Sequence, residues 1–444
     1  MTKEELKELC LKEIDNNKEE IIALGENIYK TPELGYKEFE TTKTIENGFK
    51  SLGLETKSGI AYTGCRAQIG ENDGPTVAVV GELDCVNCAT HPDSIANGNI
   101  HACGHNVQLA NIFGAALGLT KSGIMKDLAG KVDFLAVPAE ECVDYNYRDQ
   151  LIEDKKIKYY GGKQELIYRD ELKDDDLFLQ CHMMDVPDGK SSLVNTDCDG
   201  FITKQVTFIG KGSHAGFAPE EGINALNMAE LALNNIHAQR ETFHDEDMVR
   251  VSTIITKGGD LVNIVPSEVK MQIMVRAFTI DAILDASKKV DRALKASALA
   301  LGGKVTIKNQ MGYMPMNTDR NLSKLYEENM VNYGNIEPDD FIESYKTAGS
   351  TDLGDLSQMK PCMHIWAAGV KGGLHTEDYR IADKEQAYIL PAKMLALSVI
   401  DLLFDEAKTA KDIMNKFKPS FNRDTYLDFM NEHTNVNHFD GSTL

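Results

Sequence analysis

Four short apolar runs, each leading to a reactive polar residue, constrain this chain more than any other feature. "TVAVVGELD" (Thr76 to Asp84) is valine-rich and ends at Asp84, and "KVDFLAVPAEE" (Lys131 to Glu141) ends in the pair Glu140 and Glu141. "DLFLQCH" ends at His182, and "CMHIWAAGVKGGLH" passes through glycines to His375. Such short, near-continuous apolar runs suit strands buried on both faces. Helical patterns lie between them, from Asn106 to Gly123 and from Lys384 to Glu406. Buried strands alternating with helices predict an α/β domain with a largely parallel sheet. In such sheets ligands bind outside the carboxyl ends of the strands. Asp84, Glu140, Glu141, His182 and His375 all fall there. One such histidine alone reads as a structural residue, but five positions at one sheet edge read as a site.

The middle of the chain has a different period. "FITKQVTFIGKGSHAGFAP", "MVRVSTIITKGG" and "SEVKMQIMVRAF" alternate apolar and polar residues, and helical patterns separate them. Half-buried strands with helices on one face predict an α+β unit on an antiparallel sheet. Its boundaries fall near Asp199 and Gln310, which makes it an insertion, and 444 residues are enough for two domains. The polar tail from Pro419 to Leu444 has little to bury and is expected at the periphery.

Charge and composition exclude several partners. A formal net charge of −22 argues against nucleic acid and against an anionic membrane surface. It leaves room for a small anionic substrate in a locally positive pocket. Basic clusters such as "KDLAGK" and "KDIMNKFK" read as solvated helix faces. No run approaches the roughly 18 apolar residues of a membrane span. The first 20 residues form a charged amphipathic pattern without a signal-peptide core, so a cytoplasmic location is expected. Nine irregularly spaced cysteines are expected to be reduced thiols.

"NIHACGHNVQLAN" places Cys103 and His105 two residues apart. On a helix they would point in nearly opposite directions, so they converge only on extended or loop backbone. Gly104 gives that backbone its freedom, and Asn106 is a candidate N-cap for the helix that follows. Thiolate, imidazole and carboxylate together suit a borderline transition metal such as zinc or manganese. Cys103, His105, Glu141, His182 and His375 can supply two adjacent divalent ions with a water or hydroxide between them. Two ions about 3.5–4 Å apart polarise a carbonyl and acidify that water. Glu140, beside a ligand at a strand end, is then the natural general base.

In order along the chain, "HACGHN", "VPAEE", "QCH", "GSHAGFAP", "GDLVNIVPSEV", "GSTDLGDLS" and "GGLHT" resemble the M20 family of metallopeptidases and amidohydrolases. The resemblance runs from about Ile21 to about Leu403. It points to the branch containing aminoacylase-like amidohydrolases, the aminobenzoyl-glutamate hydrolase B subunit and β-alanyl-lysine dipeptidase. It implies a catalytic domain in two parts, 1–198 and 310–444, around an inserted lid and dimerisation domain at 199–309, and hence a homodimer. By motif, Cys103, His105, Glu141, His182 and His375 become ligands of two metal ions and Glu140 the base. His214 in "GSHAG" resembles a lid histidine that reaches a partner subunit's site to stabilise the oxyanion. Asn263 and Arg276 resemble lid residues that bind the substrate carboxylate or carbonyl. Many members of the branch have Asp where this chain has Asn106, and Asn there points to the aminobenzoyl-glutamate and β-alanyl-lysine subgroup. Cys85 and Cys88 form a C-x-x-C read here as buried small residues. The implied activity is metal-dependent hydrolysis of an N-acyl amino acid or small dipeptide-like amide. The alternatives are a ureido or amidine hydrolase on the same fold, and a non-catalytic subunit of a heteromer.

Overall fold

The valine-rich run forms a strand over Thr76–Glu82 in which every residue is buried, as a position inside a two-sided sheet requires. In the computed structural model, which describes residues 1–443, this strand belongs to an eight-stranded sheet. In chain order its strands are β1 (Glu55–Ile60), β2 (Gly64–Ile69), β3 (Thr76–Glu82), β4 (Lys131–Val137), β5 (Leu177–Met183), β6 (Ser192–Val194), β7 (Phe341–Glu343) and β8 (Cys362–Ala367). Across the sheet the order is β1-β2-β4-β3-β5-β8-β6-β7. The central strands β4, β3, β5 and β8 run parallel, and antiparallel pairs flank them. The predicted mixed α/β architecture with a largely parallel centre is therefore what forms.

Three helices of this unit matter for the site: α1 (His105–Lys121), α2 (Gly162–Tyr168) and α3 (Leu390–Lys416). Every residue of α1 from His105 to Leu119 is buried. A helix without a polar face must be covered all round, and α1 packs against β3 and α3. Its N-cap is Gly104 in the left-handed region, φ 81°, not Asn106. Asn106 is buried in the first turn, where its amide donates to the Gly25 carbonyl and the Tyr388 hydroxyl. The expectation that no run approaches a membrane span is corrected at Glu385–Lys416, which is long and apolar enough to cross one, yet 83% of its most apolar stretch is buried inside the fold. It is a core helix, broken at Phe404–Ala407.

The chain divides into two compact units. The first comprises Met1–Asp197, Asn317–Lys346 and Asp355–Ser420, and the second Cys198–Met316, Thr347–Gly354 and Phe421–Leu444. The second unit carries a five-stranded, fully antiparallel sheet ordered Arg250–Lys257, Glu268–Ala277, Gly200–Ile209, Lys304–Met311, Asn435–Asp440. Burial alternates along Glu268–Ala277 and Lys304–Met311. The helices Ala225–Ala238 and Ile280–Leu301 pack on the sheet and on each other. Asn224 and Thr279 cap them by accepting backbone N–H bonds.

The expected assignment of 310–444 to the first unit is corrected for three segments. Residues 310–316 and Thr347–Gly354 belong to the second unit, as does the tail from Phe421 onward. The tail is peripheral, as expected, but it is structured: it forms a helix, Arg423–His433, in which Tyr426 and Met430 are buried, and the largely exposed edge strand Asn435–Asp440. Its polar side chains conceal a strand because the pairing is made by backbone groups to Lys304–Met311.

Candidate metal centre

At and just beyond the C-terminal ends of β3, β4, β5 and β8, the first unit gathers its donor side chains. Ligating atoms of Cys103, His105 and His182 form one group in which all lie within 4.8 Å of one another, and Cys103, Glu141 and His375 form a second. Cys103 is common to both. The Cys103 thiol sits 3.5 Å from His182 Nε2, and His375 Nε2 sits 2.9 Å from Glu141 Oε1. Ligating atoms of Glu82, His105 and Glu140 likewise all lie within 4.8 Å of one another. His105 Nε2 is 3.2 Å from Glu82 and 4.0 Å from Glu140. The sequence-expected ligands are thus brought together, with Glu140 beside them.

Backbone geometry creates this convergence. Gly104 takes its left-handed conformation between Cys103 and His105, and any Cβ there would collide with the Tyr379 hydroxyl. His375, itself at φ 62°, is tied by its N–H to the Ala102 carbonyl at 2.9 Å. The Glu140 and Glu141 amides both donate to the Asp84 carboxylate, at 3.2 and 2.9 Å. Preceding them, Ala139 stands at φ 55° and donates to buried Glu38 at 2.8 Å. Arg148 donates to the Glu141 carbonyl from the other side.

Tautomers and charge follow from the same contacts. His105 Nδ1 donates to the Asp84 carbonyl at 2.8 Å, and His182 Nδ1 to the Met183 carbonyl at 2.9 Å. Each ring thereby presents Nε2 to the donor cluster, the second-partner arrangement usual for ligating histidines. Burial, then His105, pushes His182 down to about 4, so it stays in the neutral form that ligates. Burial also pushes the Cys103 thiol well above its usual range, reinforced by Glu141. A divalent cation would reverse that balance, since it stabilises the thiolate. Burial opposes ionisation of Glu141, but His375 outweighs it and holds the carboxyl low. His105 Nε2 and Glu141 Oε1 are buried without a well-aligned hydrogen bond. A thiol, three imidazoles and a carboxylate, two of them with unsatisfied inward atoms, fit a borderline transition ion.

A layer that sequence reasoning missed supports this cluster. Glu82 is fully buried and receives Lys163 Nζ at 2.6 Å, Gln180 Nε2 at 2.8 Å and Gln108 Nε2 at 2.7 Å. Lys163 comes from α2, whose Gly162 packs so tightly on the Pro138 carbonyl that no side chain fits. Trp366 lies tilted against the His182 ring at a centroid distance of 4.5 Å. Part of this was legible: Glu82 and Asp84 are two apart at a strand end, so both face the same side. Nothing in the sequence flags Lys163. Cys85 is buried and Cys88 partly so; both are free, as are all nine cysteines, and neither joins a donor group.

His214, Asn263 and Arg276 all belong to the second unit. His214 Nδ1 accepts the N–H groups of Gly216 and Phe217, at 3.2 and 3.1 Å. Its proton therefore sits on Nε2, leaving an exposed ring N–H donor. The Asn263 carbonyl accepts the Ala215 N–H at 3.0 Å, which draws the two motifs together. Arg276 is anchored by Nη1 to Ser350, Ala348 and Asp199 at 3.0, 3.1 and 3.4 Å.

The molecule's likenesses agree with this geometry. Residues 199–301 match the peptidase dimerisation domain family. The chain is 29% identical to the Xaa-Arg dipeptidase of Mus musculus over 427 residues, covering 90% of each protein. It is 26% identical to the N-acyl-L-amino acid amidohydrolase of Geobacillus stearothermophilus, covering 71% of this chain and 81% of that one. Its fold superimposes on a dinuclear metal-binding peptidase from Bacillus subtilis with a TM-score of 0.66 at 20% identity, over 88% of this chain and 99% of that one. With the ordered motifs, the inserted unit and a donor cluster at the sheet's carboxyl edge, these likenesses show an enzyme and support an M20-type metallopeptidase or amidohydrolase.

Proposed function

We propose that this protein uses two divalent metal ions to hydrolyse the amide bond of an N-acyl amino acid or a small dipeptide-like substrate. The observation that carries the reading is the convergence of two donor groups sharing Cys103, with the Glu140 carboxylate within 4.0 Å of His105. Cys103, His105 and His182 would hold one ion, and Cys103, Glu141 and His375 the other. Bound ions supply Lewis acidity toward the carbonyl and a water of lowered pKa. Glu140 takes the proton of the attacking water and returns it to the leaving amine. The two relatives act, by their names, on a dipeptide and on N-acyl amino acids, which supports this substrate class.

The lid residues complete the reading. His214 Nε2–H is a donor for the developing oxyanion, and Asn263 and Arg276 receive the substrate carboxylate or carbonyl. We assign His214 to the site of a second copy of the chain. In support, Arg250–Lys257 is an unpaired sheet edge. Exposed Ile254, Leu261, Val262 and Phe217 cluster in the same unit's strand and loops, a surface that suits burial against a partner. The free thiols suit a reducing, cytoplasmic setting.

Two experiments test this. Glu140→Gln should keep metal content, measured by elemental analysis, and lower kcat by about 10²–10⁴; Glu141→Gln should lose metal. The opposite pattern reverses the pair. His214→Ala should lower kcat by about 10²–10³ with metal retained. Mixing His214→Ala with Glu140→Gln protein under subunit exchange should restore activity through one intact composite site. Exchange without recovery would remove the cross-subunit role.

A further inference from the structure

The second unit contains a groove of about 440 Å³ between the Ile280–Leu301 helix and the Asn435–Asp440 strand, and no residue assigned to the proposed reaction lines it. Lys288, Arg292 and Lys295 line it together with Leu299 and Phe439. Positions 288, 292, 295 and 299 follow the i, i+4, i+7, i+11 spacing of a single helix face. Three like charges so placed repel one another, in a chain with 69 acidic and only 47 basic residues. Acids to neutralise them are not scarce, yet among the described residues none pairs with these three cations.

The neighbouring carboxylates are already engaged elsewhere. Asp285 pairs with Lys289 at 2.7 Å, Asp440 with Lys304 at 2.7 Å, and Asp291 with Lys204 at 2.6 Å. Lys204 is a fourth cation, fully buried beneath the groove and also bonded to Ser287 and Asn309, each at 2.8 Å. Burial chiefly lowers its pKa, and Lys295 adds to the effect against the pull of Asp291. The groove lining itself therefore sets three cations against one carboxylate, and that carboxylate, Asp291, is shared with Lys204.

We infer that this groove is a binding site for a small phosphate-class polyanion carrying a planar ring, the chemistry of a nucleoside di- or triphosphate. The volume lies in the range of small-molecule sites. From Lys288 to Lys295 the cations span about 10 Å of helix axis at 1.5 Å per residue, which suits several linked anionic groups better than one carboxylate. Arg292 offers a planar fork matched to phosphate oxygens. Leu299 and Phe439 supply an apolar wall at the other end for the ring. The helix and strand that build the site come from the insertion and from the tail, so the site exists only because the tail joins this sheet.

The test uses the metal-loaded protein and ATP as its magnesium complex, so that free phosphates do not strip the donor cluster. Saturable binding by calorimetry is expected, weakening as salt is raised. The triple variant Lys288→Glu/Arg292→Glu/Lys295→Glu should weaken it at least tenfold. The milder Lys288→Gln/Arg292→Gln/Lys295→Gln set, checked for folding by circular dichroism, should give a smaller loss in the same direction. Phe439→Ala should weaken ATP about threefold and leave magnesium tripolyphosphate unchanged. Lys126→Glu, an exposed change in the first unit, should have no effect. No saturable ATP binding at millimolar concentration would overturn the proposal, as would binding that both triple variants leave intact. Equal binding of ATP and tripolyphosphate, indifferent to Phe439→Ala, would overturn the ring specificity.

Discussion

Each compact unit buries a lysine against a carboxylate, and the two pairs are built differently. In the first unit, Lys163 and Glu82 are both 1% exposed, and Glu82 also receives two glutamine amides and faces His105. In the second, Lys204 is fully buried but its partner Asp291 remains 19% exposed at the floor of a groove. The closed pair has no route to water. It fixes a negative oxygen beside the imidazole that faces the donor cluster. The open pair can rehydrate or share its charges with a visitor. Burial of a charge is thus used once to hold the His105 imidazole in place and once beneath a groove open to solvent.

Breaking the pairs should separate these roles, and the largest effect is expected at the closed one. Lys163→Met strands Glu82 without water, so chemical denaturation should show a loss of about 3–5 kcal/mol, with weaker metal binding. Lys204→Met leaves Asp291 able to meet solvent, and the loss should be about 1.5–3 kcal/mol, the worth of a hydrogen bond to a charged group. Equal losses would erase the distinction.

A third variant sharpens the closed side. Burial and then Asp84 raise the Glu38 carboxyl from 4.5 to about 8. An acid with a raised folded-state pKa binds more protons folded than unfolded between those values, so its contribution to stability falls as pH rises from about 4.5 to about 8. Glu38→Gln should therefore flatten the decline of Tm between pH 5 and pH 8 by a few degrees. A variant whose Tm tracks the parent across that interval would remove Glu38 as a source of pH dependence. The smallest signal is optical. Trp366 is the chain's single tryptophan and lies against His182, so zinc titration should shift its emission. The His182→Ala variant should lose most of that response.

Which parts were readable from sequence follows the range of the forces involved. The central strands announced themselves because burial on both faces leaves only apolar side chains. The five donors did so because loops after parallel strands are where reactive groups collect. Asn106 misled because a short polar residue ahead of an apolar helix usually caps it. Here Gly104 already bends the chain, and the Asn106 amide is drawn to Gly25 and Tyr388, partners distant in sequence. Lys163 was invisible for the same reason: its carboxylate lies 81 residues away. "NVNHFD" carries no apolar alternation, so only the waiting edge of Lys304–Met311 makes it a strand.

That late strand also sets an order of events during synthesis. Four strands of the second unit are complete once Met311 has been made, but their outer neighbour begins only at Asn435. At 5–20 residues per second, the interval is on the order of ten seconds. Throughout it the nascent sheet displays a row of unpaired backbone groups along Lys304–Met311, a template for unwanted pairing. Arrival of Asn435–Asp440 pairs that border and leaves a shorter edge in its place, so six late residues cover the flank of a unit that the chain began more than 200 residues earlier.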